Sequence, residues 1–198
     1  MYTPSYFDET RPEVLQGLIA QYPLGAVVVN GAEGLVADHI PFEIAPATPA
    51  APFGVLRAHV ARANPLWRHE GETMVVFQGP SAYVSPALYD EKPVSGKVVP
   101  TWNYAVVHAH GRLRAVEDPA WLLAQLVRMT DTHESSRAMP WAVEDAPRAW
   151  LENIMQAIVG IEIPVQRMQG KFKLSQNRSH NDQRRIALDT GIAVHLAH

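Results

Sequence analysis

The chain has 198 residues, 47% of them hydrophobic, and its 17 Lys and Arg residues against 20 Asp and Glu residues give a formal net charge of −3. This composition predicts a soluble globular protein with one domain over residues 1–198, and it argues against non-specific coating of nucleic acid. The absence of cysteine excludes disulfide scaffolds, thiolate metal sites and cysteine nucleophiles. We expect a cytoplasmic location without a membrane partner, because the sequence has no run of about 18 apolar residues and residues 1–13 lack a signal-peptide pattern.

The first predicted element is a short amphipathic helix. It begins at Pro12, with Asp8 or Thr10 as the expected N-cap, and its hydrophobic residues recur at helical spacing until Pro23. A β-hairpin follows, because residues 24–30 and 35–44 have extended-type sequence on either side of a glycine-flanked turn.

Further strands are predicted after a proline-rich surface loop at residues 45–52. These strands occupy residues 53–61, 73–78, 82–84 and 103–116, with a short helical turn at residues 64–69. We expect them to pair antiparallel and to form a small barrel.

The hydrophobic period then changes from two to about 3.6. This change predicts a pair of helices at about residues 118–157, of which the first ends near residue 137 and the second begins near Pro147. A strand over residues 160–168 and a weak terminal helix over residues 186–195 follow. The sequence therefore predicts a mainly β fold with flanking helices, of the α+β class.

No short motif identifies a reaction. The chain lacks the glycine-rich dinucleotide and P-loop motifs, the nucleophile elbow and the HExxH zinc motif. His108 and His110 share one strand face and are either metal ligands or a solvent-facing or dimer-facing pair. Residues 130–134 are either an acid/base pair or a solvated helix end.

The segment at residues 167–185 has the composition of an anion site. It carries six Lys and Arg residues against one Asp, which suits a phosphate on a cofactor or on DNA, although an ordinary solvated basic turn gives the same composition. We expect residues 171–177 to face a cofactor, and Arg184 and Arg185 to lie outside.

Two further clusters have functional interpretations. Residues 57–65 place a strand end, a helical turn and the Arg62 guanidinium where an anion could bind, although the Asn64 and Pro65 pair also initiates ordinary turns. Residues 81–86 and 100–104 combine aromatic rings with hydroxyl and amide groups, which suits either a flat heteroaromatic ligand or an aromatic core.

These clusters, in this order, carry a family resemblance. The opening MYTPSYF, HVARANP at residues 59–65, VFQGPSAYVSP at residues 76–86, VPTWNY at residues 99–104, and IVGIE and GKFKLSQNR at residues 158–162 and 170–178 resemble the FMN-binding negative transcriptional regulators of the PaiB type. The resemblance implies a split β-barrel similar to the pyridoxamine-phosphate-oxidase-like flavoproteins. It also implies a homodimer with FMN in clefts at the subunit interface.

The resemblance also implies roles for individual residues. Asp38, His39 and Ile40 would face the isoalloxazine ring. The residues expected to hold the ribityl phosphate are His59, Val60, Ala61, Arg62 and Asn64. The residues expected to complete the site are Ser85, Thr101, Trp102, Lys171, Gln176 and Asn177.

The family name implies negative regulation of transcription through DNA or another regulator. The sequence has no recognisable helix-turn-helix with a basic recognition helix, so an indirect role is open. The alternative is a flavin-dependent oxidoreductase acting on a small molecule. FAD is a less suitable cofactor than FMN, because no glycine-rich turn is present for its pyrophosphate.

Overall fold

The computed structural model describes residues 1–192, which form nine strands and five α-helices. The strands are β1 (Asp8–Glu9), β2 (Leu24–Gly31), β3 (Gly34–Pro41), β4 (Glu43–Ala45), β5 (Val55–Ala61), β6 (Glu72–Val84), β7 (Thr101–Arg112), β8 (Arg114–Val116) and β9 (Ile158–Lys173). The α-helices are α1 (Pro12–Gln21), α2 (Glu91–Ser95), α3 (Pro119–Glu134), α4 (Arg148–Met155) and α5 (His180–Thr190). Short 3-10 turns lie at Ser5–Phe7, Pro65–Arg68, Pro86–Leu88 and Val143–Asp145.

The strands form one sheet in the order β3, β2, β6, β7, β9, β5, β4, and β1 and β8 also pair with β9. The hairpin β2–β3 and the pairs of β9 with β1, β5 and β8 are antiparallel. The predicted mainly antiparallel β fold with flanking helices is therefore confirmed. Within residues 1–192, no helix combines the length and the apolar character needed to cross a membrane.

The described residues divide into two compact units. Unit 1 contains Met1–Tyr22, Val76–His108 and the described chain from Met168 onward. Unit 2 contains Pro23–Val75 and Ala109–Arg167. The single domain expected from chain length stays a prediction.

Two strand boundaries differ from the sequence prediction. Residues 73–78 and 82–84 belong to one strand, β6, which runs through Gly79 and Pro80. The predicted break was wrong because the fixed φ of proline is compatible with extended backbone and removes only one donor. The predicted strand at residues 103–116 is divided at Leu113 into β7 and β8.

The N-terminus of unit 1 is organised by Glu9 and Arg11. Neither Asp8 nor Thr10 caps α1; the N-cap is Arg11, without a side-chain hydrogen bond. The buried Glu9 carboxylate accepts from the Arg11 backbone N–H and from its guanidinium, at 2.9 Å and 2.6 Å. Asp8 is used instead in β1, opposite Lys171 of β9.

Helix α5 is held in unit 1 by a polar clamp. It begins after Ser179, whose side chain accepts from the Asp182 N–H, and ends at Gly191 with φ 69°. The buried Asp182 carboxylate accepts from the Asp90 N–H at 2.8 Å and from Arg185 at 3.0 Å. Although its burial opposes ionisation, these hydrogen bonds hold the pKa of Asp182 below its ordinary value.

The terminal helix therefore begins six residues before the predicted start at residue 186, because the Ser179 cap lies there. The last part of that prediction, residues 193–195, lies outside the described residues.

In unit 2, α3 packs against strands β5 and β9. A Cβ at Gly160 would lie 2.4 Å from the Trp121 ring, so this glycine makes room for the helix. The predicted second helix ends at Met155, and Ile158 begins β9 instead of closing the helix. Helix α4 has no buried residue.

Gly111 of β7 provides a test of the backbone packing in unit 2. A Cβ there would lie 2.3 Å from the Pro164 carbonyl oxygen, which cannot move without shifting β9. We expect Gly111→Ala to lower the free energy of unfolding by about 1–3 kcal/mol in urea denaturation. The matched control is Gly17→Ala in α1, where no neighbouring group in the described part of the chain lies within 4 Å of the added Cβ, and it should stabilise the protein by about 0.5–1 kcal/mol. Equal effects of the two substitutions would contradict this account.

Candidate functional site

The predicted site residues fall into two groups, one in each unit. Those in unit 1 are Ser85, Thr101, Trp102, Lys171, Gln176 and Asn177. Those in unit 2 are Asp38, His39, Ile40, His59, Val60, Ala61, Arg62 and Asn64.

Unit 1 contains three cationic side chains that contact neutral groups. These residues, Lys171, Lys173 and Arg178, are called the Lys173 cluster. The Lys173 ammonium donates to the Thr101 hydroxyl and, at 2.8 Å, to the Trp102 carbonyl oxygen. Burial lowers the pKa of Lys173, and the positive charges of Lys171 and Arg178 lower it further.

The other two cations of the cluster lie against aromatic rings. The Lys171 ammonium donates to the Tyr2 carbonyl oxygen at 3.1 Å and lies 5.7 Å and 5.5 Å from the ring centroids of Tyr2 and Tyr104. The Arg178 guanidinium lies 4.4 Å from the Tyr89 ring centroid. Within residues 1–192, none of these cations forms an ion pair with a carboxylate. An anion bound here would therefore relieve the repulsion among them.

A buried amide lies beside this cluster in the chain. Asn103 is 1% exposed, and its Oδ1 accepts from the Ser175 hydroxyl at 3.0 Å, while its Nδ2 has no hydrogen-bond partner among residues 1–192. An unsatisfied buried donor costs about 1–3 kcal/mol. Ser175 has φ 67°, in the left-handed region that a non-glycine residue adopts at a cost of about 1–3 kcal/mol. Both features fit a site that is completed by a polar ligand.

An exposed aromatic pair completes the unit 1 group. The rings of Tyr83 and Trp102 lie 6.1 Å apart and are nearly perpendicular. About half of each side chain is exposed, so the pair offers an apolar surface to a flat ligand.

The remaining predicted residues of unit 1 shape its turns. Gln176 accepts from the Leu174 N–H at 2.7 Å and donates to the Phe172 carbonyl oxygen. Ser85 caps a 3-10 turn, and Asn177 is exposed.

In unit 2, the Arg62 guanidinium already has partners. It donates to the Glu117 carboxylate at 2.6 Å and to the carbonyl oxygens of Gln156 and Ile158 at 3.0 Å and 3.3 Å. Asn64 caps the turn at Pro65–Arg68 and donates to Asp38 at 3.3 Å. A phosphate at Arg62 would have to compete with Glu117.

His59 contacts helix α3. Its Nδ1 lies 2.9 Å from Oε1 of the fully buried Gln125. Of the other predicted residues in unit 2, Ile40 and Val60 are buried in the core, whereas His39 and Ala61 are exposed.

The other sequence candidates have no assembled site. Within residues 1–192, no three His, Asp or Glu side chains are arranged as metal ligands. At residues 130–134, Glu134 pairs with Arg137, and the Thr132 hydroxyl donates to the Arg128 carbonyl oxygen. Arg184 is exposed as expected, but Arg185 is partly covered by ion pairs with Asp90 and Asp182.

The sequence prediction did not name Lys173, Asn103 or Tyr83 as individual site residues, although each lies in a segment that it proposed for a ligand (residues 171–177, 100–104 and 81–86). A signal for Lys173 was available, since residues two apart on a strand lie on one face and Lys173 therefore accompanies Lys171. Asn103 had no comparable signal, because its unpartnered amide is visible only in the folded chain.

Comparisons with known proteins give the family. Residues 1–167 match the model of a family described as "Putative FMN-binding domain". An uncharacterized protein of Emericella nidulans is 36% identical over 92% of this chain and 87% of its own length. The Bacillus subtilis "Protease synthase and sporulation protein PAI 2" is 33% identical over 92% of this chain and 85% of its own length.

Solved structures share the fold. The flavocytochrome Anf3 of Azotobacter vinelandii has a TM-score of 0.60 at 13% identity, covering 86% of this chain and 72% of its own. The FAD and heme binding protein of Mycobacterium smegmatis has a TM-score of 0.61 at 17% identity, covering 84% and 73%. The predicted split β-barrel fold is confirmed.

The Lys173 cluster generates a prediction about stability. Because Lys173 is partly buried beside like charges, Lys173→Met should leave the free energy of unfolding of the ligand-free protein unchanged within about 0.5 kcal/mol, or raise it. The control is Arg185→Met, which removes a cation that is paired with the buried Asp182 and should cost about 1–3 kcal/mol. Urea denaturation measures both. A large loss for Lys173→Met would show that the lysine is a structural residue.

Proposed function

This chain belongs to the FMN-binding domain family and its cofactor is FMN; we propose that it acts, as a homodimer, as an FMN-dependent negative regulator of transcription. The observation that carries the proposal is the Lys173 cluster, a set of cations without a carboxylate partner in the described chain. FMN carries a phosphate of charge about −1.5 to −2 and a flat ring system, and a site for it needs cations and an apolar surface.

The residues of unit 1 fit this ligand. Lys171, Lys173 and Arg178 would neutralise the phosphate, and the unpartnered Nδ2 of Asn103 would donate to a polar atom of the cofactor. Lys171, Gln176 and Asn177 were expected at the cofactor from the sequence. These cluster residues lie beyond residue 167, where the match to the family model ends, but the alignment with the Bacillus subtilis relative covers 92% of the chain.

We place the phosphate here and not at the turn after β5. Arg62 was the first choice from the sequence, but its charge is balanced by Glu117. The expectation that Asp38, His39 and Ile40 face the isoalloxazine stays a prediction, as does a phosphate contact from Asn64.

When bound, FMN supplies reversible one- and two-electron redox chemistry. The chain's own residues bind and orient it: the cations hold the phosphate, and the Tyr83–Trp102 pair would exclude water from an apolar face.

The charged residues of helix α5 favour an indirect role in regulation over direct binding to DNA. Helix α5 has two arginines and two aspartates, and Arg185 is ion-paired, so it is a poor recognition helix. The name of the Bacillus subtilis relative concerns protease synthesis and sporulation, which are controlled processes. We infer that the chain acts through another regulator and does not read base edges itself.

The second candidate function is an FMN-dependent oxidoreductase acting on a small molecule. The half-exposed Tyr83–Trp102 pair favours it, because an aromatic substrate could stack there.

FMN titration of the cofactor-free protein tests the placement of the phosphate. Lys171→Met and Lys173→Met should each weaken FMN binding by about tenfold or more, since a charge-assisted contact is worth about 1.5–3 kcal/mol. Arg184→Met, which removes an exposed cation of α5, is the matched control and should change affinity by less than about twofold. If Arg62→Ala weakens binding tenfold and the two lysine variants do not, the phosphate lies at the turn after β5.

Analytical ultracentrifugation of the holoprotein tests the homodimer. Sedimentation as a monomer at micromolar concentration would contradict it.

Transcript profiling in a deletion strain tests the regulatory function. Deletion should raise a set of transcripts, wild-type protein should restore their normal level, and Lys173→Met at equal abundance should restore it less because it binds FMN about tenfold or more weakly. Equal rescue by Lys173→Met would show that regulation does not need the cofactor. Multiple turnovers with NADH or NADPH and an electron acceptor, without transcript changes, would establish the oxidoreductase instead.

A further inference from the structure

Two adjoining cavities that are partly open to solvent lie along helices α3 and α4 of unit 2, and their lining residues include none of the Lys173 cluster. The first has a volume of about 490 Å³ and the second about 510 Å³. Pro119, Glu152 and Met155 line both, so the two spaces adjoin. Each volume lies within the range of about 300–1,000 Å³ that small-molecule sites occupy.

Apolar side chains that keep part of their surface exposed line the second cavity: Leu123 of α3 is 39% exposed, and Leu151 and Met155, one helical turn apart on α4, are half-buried. The buried Leu122 of α3 and Met155 line the first cavity. Although α4 is amphipathic, it has no buried residue. Apolar surface on both sides of the gap remains in contact with water. Binding of an apolar group in the gap would bury this surface and would therefore be favourable.

The residues that line the two cavities include three carboxylates and two guanidinium groups, so one negative charge is in excess. Arg62 pairs with Glu117 at 2.6 Å, and Arg148 pairs with Glu152 at 2.8 Å. Glu144, which lines the second cavity, has no ion pair or hydrogen bond in the part of the chain that the structure describes.

We propose that this space binds a small organic monocation, an amine attached to an aromatic ring. The ammonium would pair with Glu144, and the ring would pack between Leu123 and Leu151 and against the Met155 thioether, a favourable partner for an aromatic edge. Such a ligand would stabilise the α3–α4 pair and would be an effector bound apart from FMN. The proposal does not depend on the regulatory function, because binding is measured directly.

The test is calorimetric titration of the FMN-saturated protein with 2-phenylethylamine, which is protonated at pH 7. Its neutral isostere, 2-phenylethanol, and the anion 3-phenylpropanoate are the comparison probes. The amine should bind at least about threefold more tightly than the alcohol, the effect of one solvent-accessible charge pair, and more tightly still than the anion. Equal binding of all three probes, or none by the amine, would overturn the proposal.

Variants locate the site. Glu144→Gln should weaken amine binding by about threefold, whereas Glu33→Gln, which changes an exposed carboxylate in the β2–β3 turn, should not. Ala146→Phe should abolish binding by filling the second cavity, which Ala146 lines. Retained FMN binding by Ala146→Phe shows that it folds. Unchanged amine affinity in both Glu144→Gln and Ala146→Phe would place the amine elsewhere and would reject this site.

Discussion

Strand β9 imposes the constraint on which both units depend. It has 16 residues and pairs with β1, β5, β7 and β8. Its sequence must therefore place buried side chains on the correct face along each of these pairings. From Val159 to Val165 the odd-numbered side chains are buried, whereas from Met168 onward the even-numbered ones are. Two successive exposed residues, Gln166 and Arg167, mark this change of face. Without it, Lys171 and Lys173 would point into the core, where an unpaired charge is prohibitively costly.

The environments of the basic residues decide which of them are available to a ligand. Arg62 and Arg185 are balanced by carboxylates, so they stabilise the fold but attract an anion weakly. Among the described residues, the Lys173 ammonium has only the Thr101 hydroxyl and the Trp102 carbonyl oxygen as hydrogen-bond partners, and the nearby Lys171 and Arg178 repel it. The anion site that we propose at the Lys173 cluster would thus be maintained at some expense in the stability of the ligand-free protein.

Helix α3 of unit 2 has different contacts on its two faces. One face forms polar contacts with the strands, and the other presents apolar side chains toward α4. On the sheet side, Trp121 donates to Glu162 at 3.2 Å, and Gln125 contacts His59. On the other side, Leu123 faces the space beneath α4. The first set fixes the helix in place, which is why the second can remain open without loss of the fold.

The sequence by itself determined the order of the longer helices and strands, the antiparallel class and the family. These follow from hydrophobic period, turn residues and spaced motifs, all of which are local properties of the chain. It also indicated the basic segment as an anion site. It could not tell Arg62 from Lys173, because the carboxylate that balances Arg62 is Glu117, 55 residues away in sequence. The break in the alternation of β9 and the unpartnered amide of Asn103 likewise arise only when distant strands pair. Tertiary structure decided these points because the charge and burial of a side chain depend on neighbours that local sequence does not contain.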